Sequence, residues 1–169
     1  TIPANKALAF NNNIEYSVLE INSLANFEEK KIVVAKNLIE QITKDCEIKN
    51  YKILKSFKGS EFKGVKCNHP FLNLGYDFEV PMLGAQFVNL EQGTGIVHCA
   101  PSHGPDDFNL CLKNNIPSKY TVDNSGLYTN EIPFFTNTHI FKADDLVIEK
   151  LKEQKKLLKN DKLNLSYPH

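Results

Sequence analysis

The sequence lacks arginine and tryptophan and carries a single methionine, Met82. It also lacks any long apolar run. Its longest purely aliphatic stretches are as short as Ile32–Ala35, so it holds no candidate membrane span. It begins at TIPANKALAF without a charged-then-apolar leader, and no signal segment is expected. Net charge is zero, so bulk electrostatics does not announce a nucleic-acid binder. None of the four cysteines (Cys46, Cys67, Cys99, Cys111) shows CxxC spacing, and they read as reduced thiols of a cytosolic protein. Hydrophobic residues at 41% and charged residues at 24% exclude wholesale disorder, collagen-like repeats and coiled coil. A chain of 169 residues fits one domain and buries roughly 70% of its unfolded surface on folding.

All twenty basic residues are lysine, and their distribution is uneven. Six fall between Lys49 and Lys66, beside one acid, Glu61. From Cys67 to Leu112 there is no lysine but five acids: Asp77, Glu79, Glu91, Asp106 and Asp107. A basic patch beside an acidic pocket is one reading. A solvated lysine-rich face is the plainer one, and the sequence favours it.

Ile14–Ile21 and Lys30–Ala35 have the alternation or β-branching of strands. Asn37–Lys44 switches to helical spacing, with Leu38, Ile39 and Ile42 on one face. Tyr51–Phe57 alternates again, and Gly59 and Gly64 punctuate an expected hairpin. His69–Pro70 and Val80–Pro81 read as loop edges, because the residue before proline avoids helix. Ala85–Leu90 and Ile96–Ala100 read as strands, the second one buried. Pro105 suits the first position of a helix, followed by two acids that suit its N-terminus, with Phe108, Leu110 and Leu112 carrying it onward. Asp123–Gly126 is a tight turn. Ala143–Leu158 is the clearest amphipathic helix, with Leu146, Val147, Leu151 and Leu158 inward. Leu163–Tyr167 reads as a last strand. The expected class is α/β: a mixed, partly barrel-like sheet core with flanking helices.

The densest group of chemically capable residues is His98, Cys99, Ser102, His103, Asp106 and Asp107. Metal binding is one reading. However, His98 and His103 straddle a proline-containing turn, and neither HExxH nor paired CxxC is present. Nucleophilic catalysis by Cys99 or Ser102 is another. Cys99 sits within a strand where a small buried thiol is the commoner role, and there is no GxSxG elbow. The third reading is a site for a cationic group. A helix-start carboxylate stays ionised and grips an ammonium through a charge-assisted hydrogen bond, and Gly93-Thr94-Gly95 lets a ligand approach backbone closely. Against it stands the possibility that both aspartates merely begin a surface helix. On composition alone that structural role is favoured.

The run GTGIVHCAPSHGPDDF (Gly93–Phe108) resembles the signature of the editing insertion (CP1) of class I aminoacyl-tRNA synthetases, of the bacterial isoleucyl type. The resemblance extends along the chain: TIPAN at the start, Ala35–Asn37, His69–Phe71, Val80–Gly84, Phe141–Ala143, and Ser166–His169 where the chain would return to the synthetase body. Leucyl and valyl relatives usually differ where His98 stands and show AHD-type triplets where His103-Gly104 stands.

The resemblance implies a single editing domain over residues 1–169, excised from a larger synthetase. Its implied activity is hydrolysis of valine mis-attached to tRNA(Ile). One missing methylene discriminates by roughly 1–3 kcal/mol, a figure already known for this enzyme type and not obtained from this sequence. The implied partners are the tRNA(Ile) acceptor end, esterified valine and the catalytic body of the same synthetase, in a cytoplasmic monomer with no membrane contact. Asp107 is the implied anchor for the substrate α-ammonium. His98 is implied to hold the terminal adenosine and orient attack on the ester. Thr94 and Gly95 are placed in the adenosine pocket by neighbourhood alone, and Asp106 and His103 are left structural. Neither a metal, nor another cofactor, nor a covalent intermediate is implied. Of the family's pocket threonines only Thr1 remains, so a weakly active fragment or an acceptor-end binding module without turnover stays open. An editing domain of a valyl or leucyl relative and a metal-dependent hydrolase also stay open.

Overall fold

The computed structural model describes residues 1–22, 24–90 and 93–161. Glu91, the expected strand Leu163–Tyr167 and the Ser166–His169 segment lie outside the described residues. The chain forms strands β1 (Ala7–Phe10), β2 (Glu15–Ile21) and β3 (Lys31–Ala35), helix α1 (Ile39–Asp45), and strands β4 (Tyr51–Lys58), β5 (Lys66–Asn68), β6 (Glu79–Gly84) and β7 (Ile96–Cys99). Helices α2 (Pro105–Lys113) and α3 (Ile140–Glu153) follow. The mixed α/β class expected from sequence is the observed one. The strands divide into a four-stranded sheet, β5-β6-β1-β7, and a three-stranded sheet, β3-β2-β4.

β1 lies inside the larger sheet, parallel to β6 and antiparallel to β7, with Leu8 opposite both Met82 and His98. The two sheets share one core. Phe10 and Met82 come from the larger sheet, Tyr16, Leu19 and Val34 from the smaller, with Ile39 and Ile42 of α1 and Phe62 between them. A second cluster seats α3, through Ala143, Val147 and Leu151, against Phe71, Tyr76 and Phe135. A third is built largely of small side chains: Ala7, Ala9, Ala85, Cys99 and Cys111. Small residues on β1 and β7 let α2 pack closely over them, which sets its N-terminus beside the end of β7.

Five sequence expectations change. Gly59 and Gly64 do not make a hairpin, because β4 and β5 belong to different sheets. Gly59 instead packs so tightly on the chain at Asn11 that a Cβ would lie 2.1 Å from the Asn11 carbonyl oxygen, and its N–H donates to the Ile14 carbonyl at 2.8 Å. Val80–Pro81 is strand, not loop edge. Proline gives no N–H to the ladder, and the N–H of Met82 bonds the Val65 carbonyl next to it at 3.0 Å. Ala85–Leu90 is not a strand. After Ala85 N–H bonds the Phe10 carbonyl at 2.7 Å, the chain turns, burying Val88 and exposing Phe87. α3 begins at Ile140, where the His139 ring caps the Phe141 N–H at 3.3 Å, and ends before Leu158. The strand Ile96–Cys99 is only partly buried, since Val97 faces outward. Among the described residues, no helix is long and apolar enough to cross a membrane.

Candidate functional site

α2 starts as its sequence dictates. Gly104 is the N-cap, Pro105 fills the first turn, where a missing N–H costs nothing, and Asp106 and Asp107 follow beside the positive helix end. Gly104 makes no side-chain cap, and the back-bond is supplied by Asp107. Its Oδ2 accepts the N–H of Ala100 at 2.8 Å, closing the Pro101–Gly104 turn onto the helix. One carboxylate oxygen is thereby fixed, and Oδ1 is the atom available to a cation. Asp106 is exposed and serves the helix start, as expected.

His98, on β7, is partly buried. Its Nε2 lies 3.0 Å from the Thr1 hydroxyl, and its Nδ1 is buried with no partner among the described residues. Burial pushes the imidazole below its ordinary pKa of 6.5, with the nearby Asp107 carboxylate opposing. The shift favours the uncharged ring at neutral pH, with Nε2 as the nitrogen that faces the Thr1 hydroxyl. Thr1 stands at the cap of a 3-10 helix over Ile2–Ala4, which leads directly into β1. The structure thus brings together His98, Asp107 and Thr1.

Thr94 and Gly95 lie immediately before β7, at the opposite end of that four-residue strand from Ala100. Gly95 has φ +75°, a Cβ there would meet Ala35 Cβ at 2.6 Å, and its carbonyl accepts the Tyr16 hydroxyl at 2.8 Å. Thr94 gives its carbonyl to Ala35 N–H at 2.7 Å and its hydroxyl to the Ile96 carbonyl at 3.2 Å. Both residues splice β7 onto β3 and β2, at the end of β7 remote from His98.

His103, expected to be only a turn residue, bonds the Thr121 hydroxyl at 3.0 Å and lines a cavity of about 740 Å³. Thr1, Tyr120, Phe141 and Asp144 line the same cavity, so Thr1 joins it to the His98 site. His98 and Asp107 are not part of that lining; they stand behind Thr1. No sequence periodicity marks Tyr120 or Phe141, which lie in a turn-rich segment and on a helix start.

The nucleophile candidates are differently employed. Cys99 is fully buried, and burial, with the Asp107 charge adding to it, pushes its thiol up to about 12, so no thiolate forms near neutrality. Ser102 bonds Ser118 and the Lys119 carbonyl, not a histidine. Among the described residues, no group of three His, Cys, Asp or Glu side chains is placed to hold a metal ion. The Lys49–Lys66 stretch is less basic than its count, since Lys55 pairs with Glu61 at 3.0 Å and Lys66 pairs with Glu79.

Residues 13–161 match the family described as leucyl-tRNA synthetase, editing domain. Over all 169 residues the chain is 63% identical to an isoleucine–tRNA ligase of Pelagibacter ubique and 40% identical to one of Francisella tularensis. It spans 19% and 17% of those two relatives' lengths. Among solved structures, the editing domain of the P. falciparum cytosolic leucyl-tRNA synthetase resembles the fold with a TM-score of 0.52 at 20% identity. That likeness covers 94% of this chain and 63% of the other.

Proposed function

Because the chain belongs to the synthetase editing-domain family, we propose that residues 1–169 are the editing domain of an isoleucine–tRNA ligase, hydrolysing valine from mischarged tRNA(Ile). Whole-chain identity to isoleucine–tRNA ligases supports the isoleucine assignment. The observation that carries the chemistry is the convergence of Asp107, His98 and Thr1 at one end of β7.

The Ala100 N–H holds one Asp107 oxygen, which orients the carboxylate. Oδ1 then grips the α-ammonium of the esterified amino acid, a charge-assisted contact that fixes one end of the reacting group. Neutral His98 holds the other end through Nε2, the nitrogen on the side of the Thr1 hydroxyl. A water positioned between these groups adds to the ester carbonyl. The acyl–oxygen bond breaks, valine leaves as the free acid, and the ribose oxygen takes up a proton. Holding both ends of the ester still supplies most of the acceleration. The proposal places the domain in the cytoplasm as a monomer, with the acceptor end of tRNA(Ile) and the remainder of the ligase as its partners.

The test is Asp107→Ala in the full-length ligase, assayed for deacylation of Val-tRNA(Ile). Loss of the anchor is expected to slow deacylation about 100-fold, with isoleucylation unchanged. A deacylation rate equal to wild type overturns the reading.

A further inference from the structure

The His69–Phe71 segment stands out in the sequence, yet no part of it belongs to the site described above. His69 is only 2% exposed. Its ring stacks on Tyr76, 4.3 Å between centroids and 14° from parallel, and the Tyr76 hydroxyl is fixed by the Pro133 carbonyl at 2.9 Å. Packing alone would be served by any flat apolar ring. The two nitrogens add direction. Nδ1 accepts the N–H of Phe71 at 3.1 Å, which leaves the proton on Nε2, and Nε2 donates it to the carbonyl of Ile2 at 3.1 Å. Burial lowers the ring's pKa to about 4, so at neutral pH it stays uncharged with that proton in place.

Ile2 opens the short 3-10 helix, Ile2–Ala4, that presents Thr1. Its own bonds are few: the Thr1 carbonyl accepts the Ala4 N–H at 2.9 Å, and the Ile2 carbonyl accepts the Asn5 N–H at 3.0 Å. A single turn of this kind does not hold itself rigid, so its place is set by what it is tied to. Two histidine side chains reach it, His69 at the Ile2 carbonyl and His98 at the Thr1 hydroxyl. For the His98 ring, the Thr1 hydroxyl at 3.0 Å is the one hydrogen bond among the described residues, because Nδ1 is buried without a partner. A shift of Ile2 therefore carries Thr1 with it and takes the orienting bond from His98.

We infer that His69 is a positioning residue for deacylation: its Nε2–H bond to the Ile2 carbonyl fixes the Thr1 hydroxyl, and through it the orientation of the His98 ring beside Asp107. The inference rests on the proposed deacylase reading and adds to it a residue outside the ester-binding group. Misplacing a reacting group by about 1 Å costs on the order of 100-fold in rate, so the loss of one remote bond is large enough to read in kinetics. Substitution separates the two nitrogens. Asparagine carries an acceptor where Nδ1 lies, keeping the Phe71 bond and losing the Ile2 bond. Glutamine reaches as far as Nε2, and its amide N–H serves Ile2 in place of the ring.

The experiment uses the full-length ligase with His69→Asn, His69→Gln, Thr1→Ala and the double variant His69→Asn/Thr1→Ala, measuring deacylation of Val-tRNA(Ile) and isoleucylation. His69→Asn is expected to lower kcat/KM for deacylation about tenfold, and His69→Gln to stay within about threefold of wild type. Isoleucylation should stay at the wild-type rate in all four. On the Thr1→Ala background, His69→Asn is expected to cost less than about twofold more, because the hydroxyl it positions is already gone. An unchanged rate in His69→Asn, or a glutamine variant no faster than the asparagine one, overturns the inference. So does a double variant slower than Thr1→Ala by more than about twofold, since His69 would then act by another route or through the stability of the domain. If Asp107→Ala is inactive in the same assay while His69→Asn is unaffected, the positioning role fails and the deacylase reading stands. If Asp107→Ala retains full activity, the deacylase reading itself fails.

Discussion

The imidazole of His69 is clamped between two backbone groups: its Nδ1 accepts the N–H of Phe71 at 3.1 Å, and its Nε2 lies 3.1 Å from the carbonyl oxygen of Ile2. Because Nδ1 is the acceptor, the proton sits on Nε2 and is donated to Ile2. Ile2 opens the 3-10 helix whose cap is Thr1, and Thr1 meets His98. A buried neutral histidine, stacked on Tyr76 at 4.3 Å, therefore holds the segment that completes the site.

This clamp makes folding stability sensitive to acid. Burial lowers the His69 pKa to about 4, from an ordinary 6.5. Between those values the unfolded chain binds a proton that the folded one refuses, so stability rises with pH across the window. The contribution is complete above pH 6.5 and is lost as pH falls to about 4, an effect on the order of 3 kcal/mol. Urea denaturation at a series of pH values is expected to show a shallower pH slope between 6.5 and 4 for His69→Gln than for wild type.

The Tyr16 hydroxyl ties the two sheets together. It donates to the Gly95 carbonyl at 2.8 Å and accepts the Asn11 N–H at 3.1 Å, with the side chain fully buried. Tyr16→Phe leaves both backbone groups unpaired and should cost about 2 kcal/mol of unfolding free energy, read from denaturant melts. A cost below half of that would mean the two groups find other partners.

Gly95→Ala should be worse. A left-handed backbone strains any side chain, and the new Cβ would press on Ala35 at 2.6 Å. A loss of about 3 kcal/mol is expected, against near-neutrality for Gly93→Ala in steric terms, since nothing lies within 4 Å of a Cβ at Gly93. Both share a positive φ, so the difference between the two variants isolates the contact with Ala35.

Deacylation should report the ionisation of His98. Burial holds its pKa below the ordinary 6.5, so the ring takes up its proton at lower pH than a free imidazole. An acid limb in kcat/KM is expected below pH 6.5, as protonation of His98 removes the acceptor. His103 is shifted in the same direction by burial, so His103→Gln is the control. The acid limb should survive in it.

The sequence was legible where local pattern and final environment agree. Alternation in Glu15–Ile21, the proline and two acids that open α2, and the Asp123–Gly126 turn all express constraints internal to a few residues. Asp107 and His98 belong to the densest group of chemically capable residues, but it is the family resemblance that singles them out. The backbone roles of Thr94 and Gly95, which join β7 to β2 and β3, depend on partners about sixty to eighty residues away and leave no local signal. Over the few residues of β7, one end packs into Tyr16 and Ala35 while the other faces Thr1. β1, at Ala7–Phe10, gives a weak signal from sequence, as four small or apolar residues have no alternation. Its partners, β6 and β7, lie more than seventy residues away. The Tyr120–Phe141 rim is a tertiary assembly that no spacing announces.

That placement of β1 has a kinetic side. A ribosome emits the strand early, yet neither of its neighbours exists until residues 79–84 and 96–99 have followed. At ordinary elongation rates the gap is about ten seconds. Closing such a loop is slow, because chain entropy must be surrendered before any ladder bond repays it. The groups that would cleave the ester therefore assemble only after the three-stranded sheet has had time to form around residues 15–58.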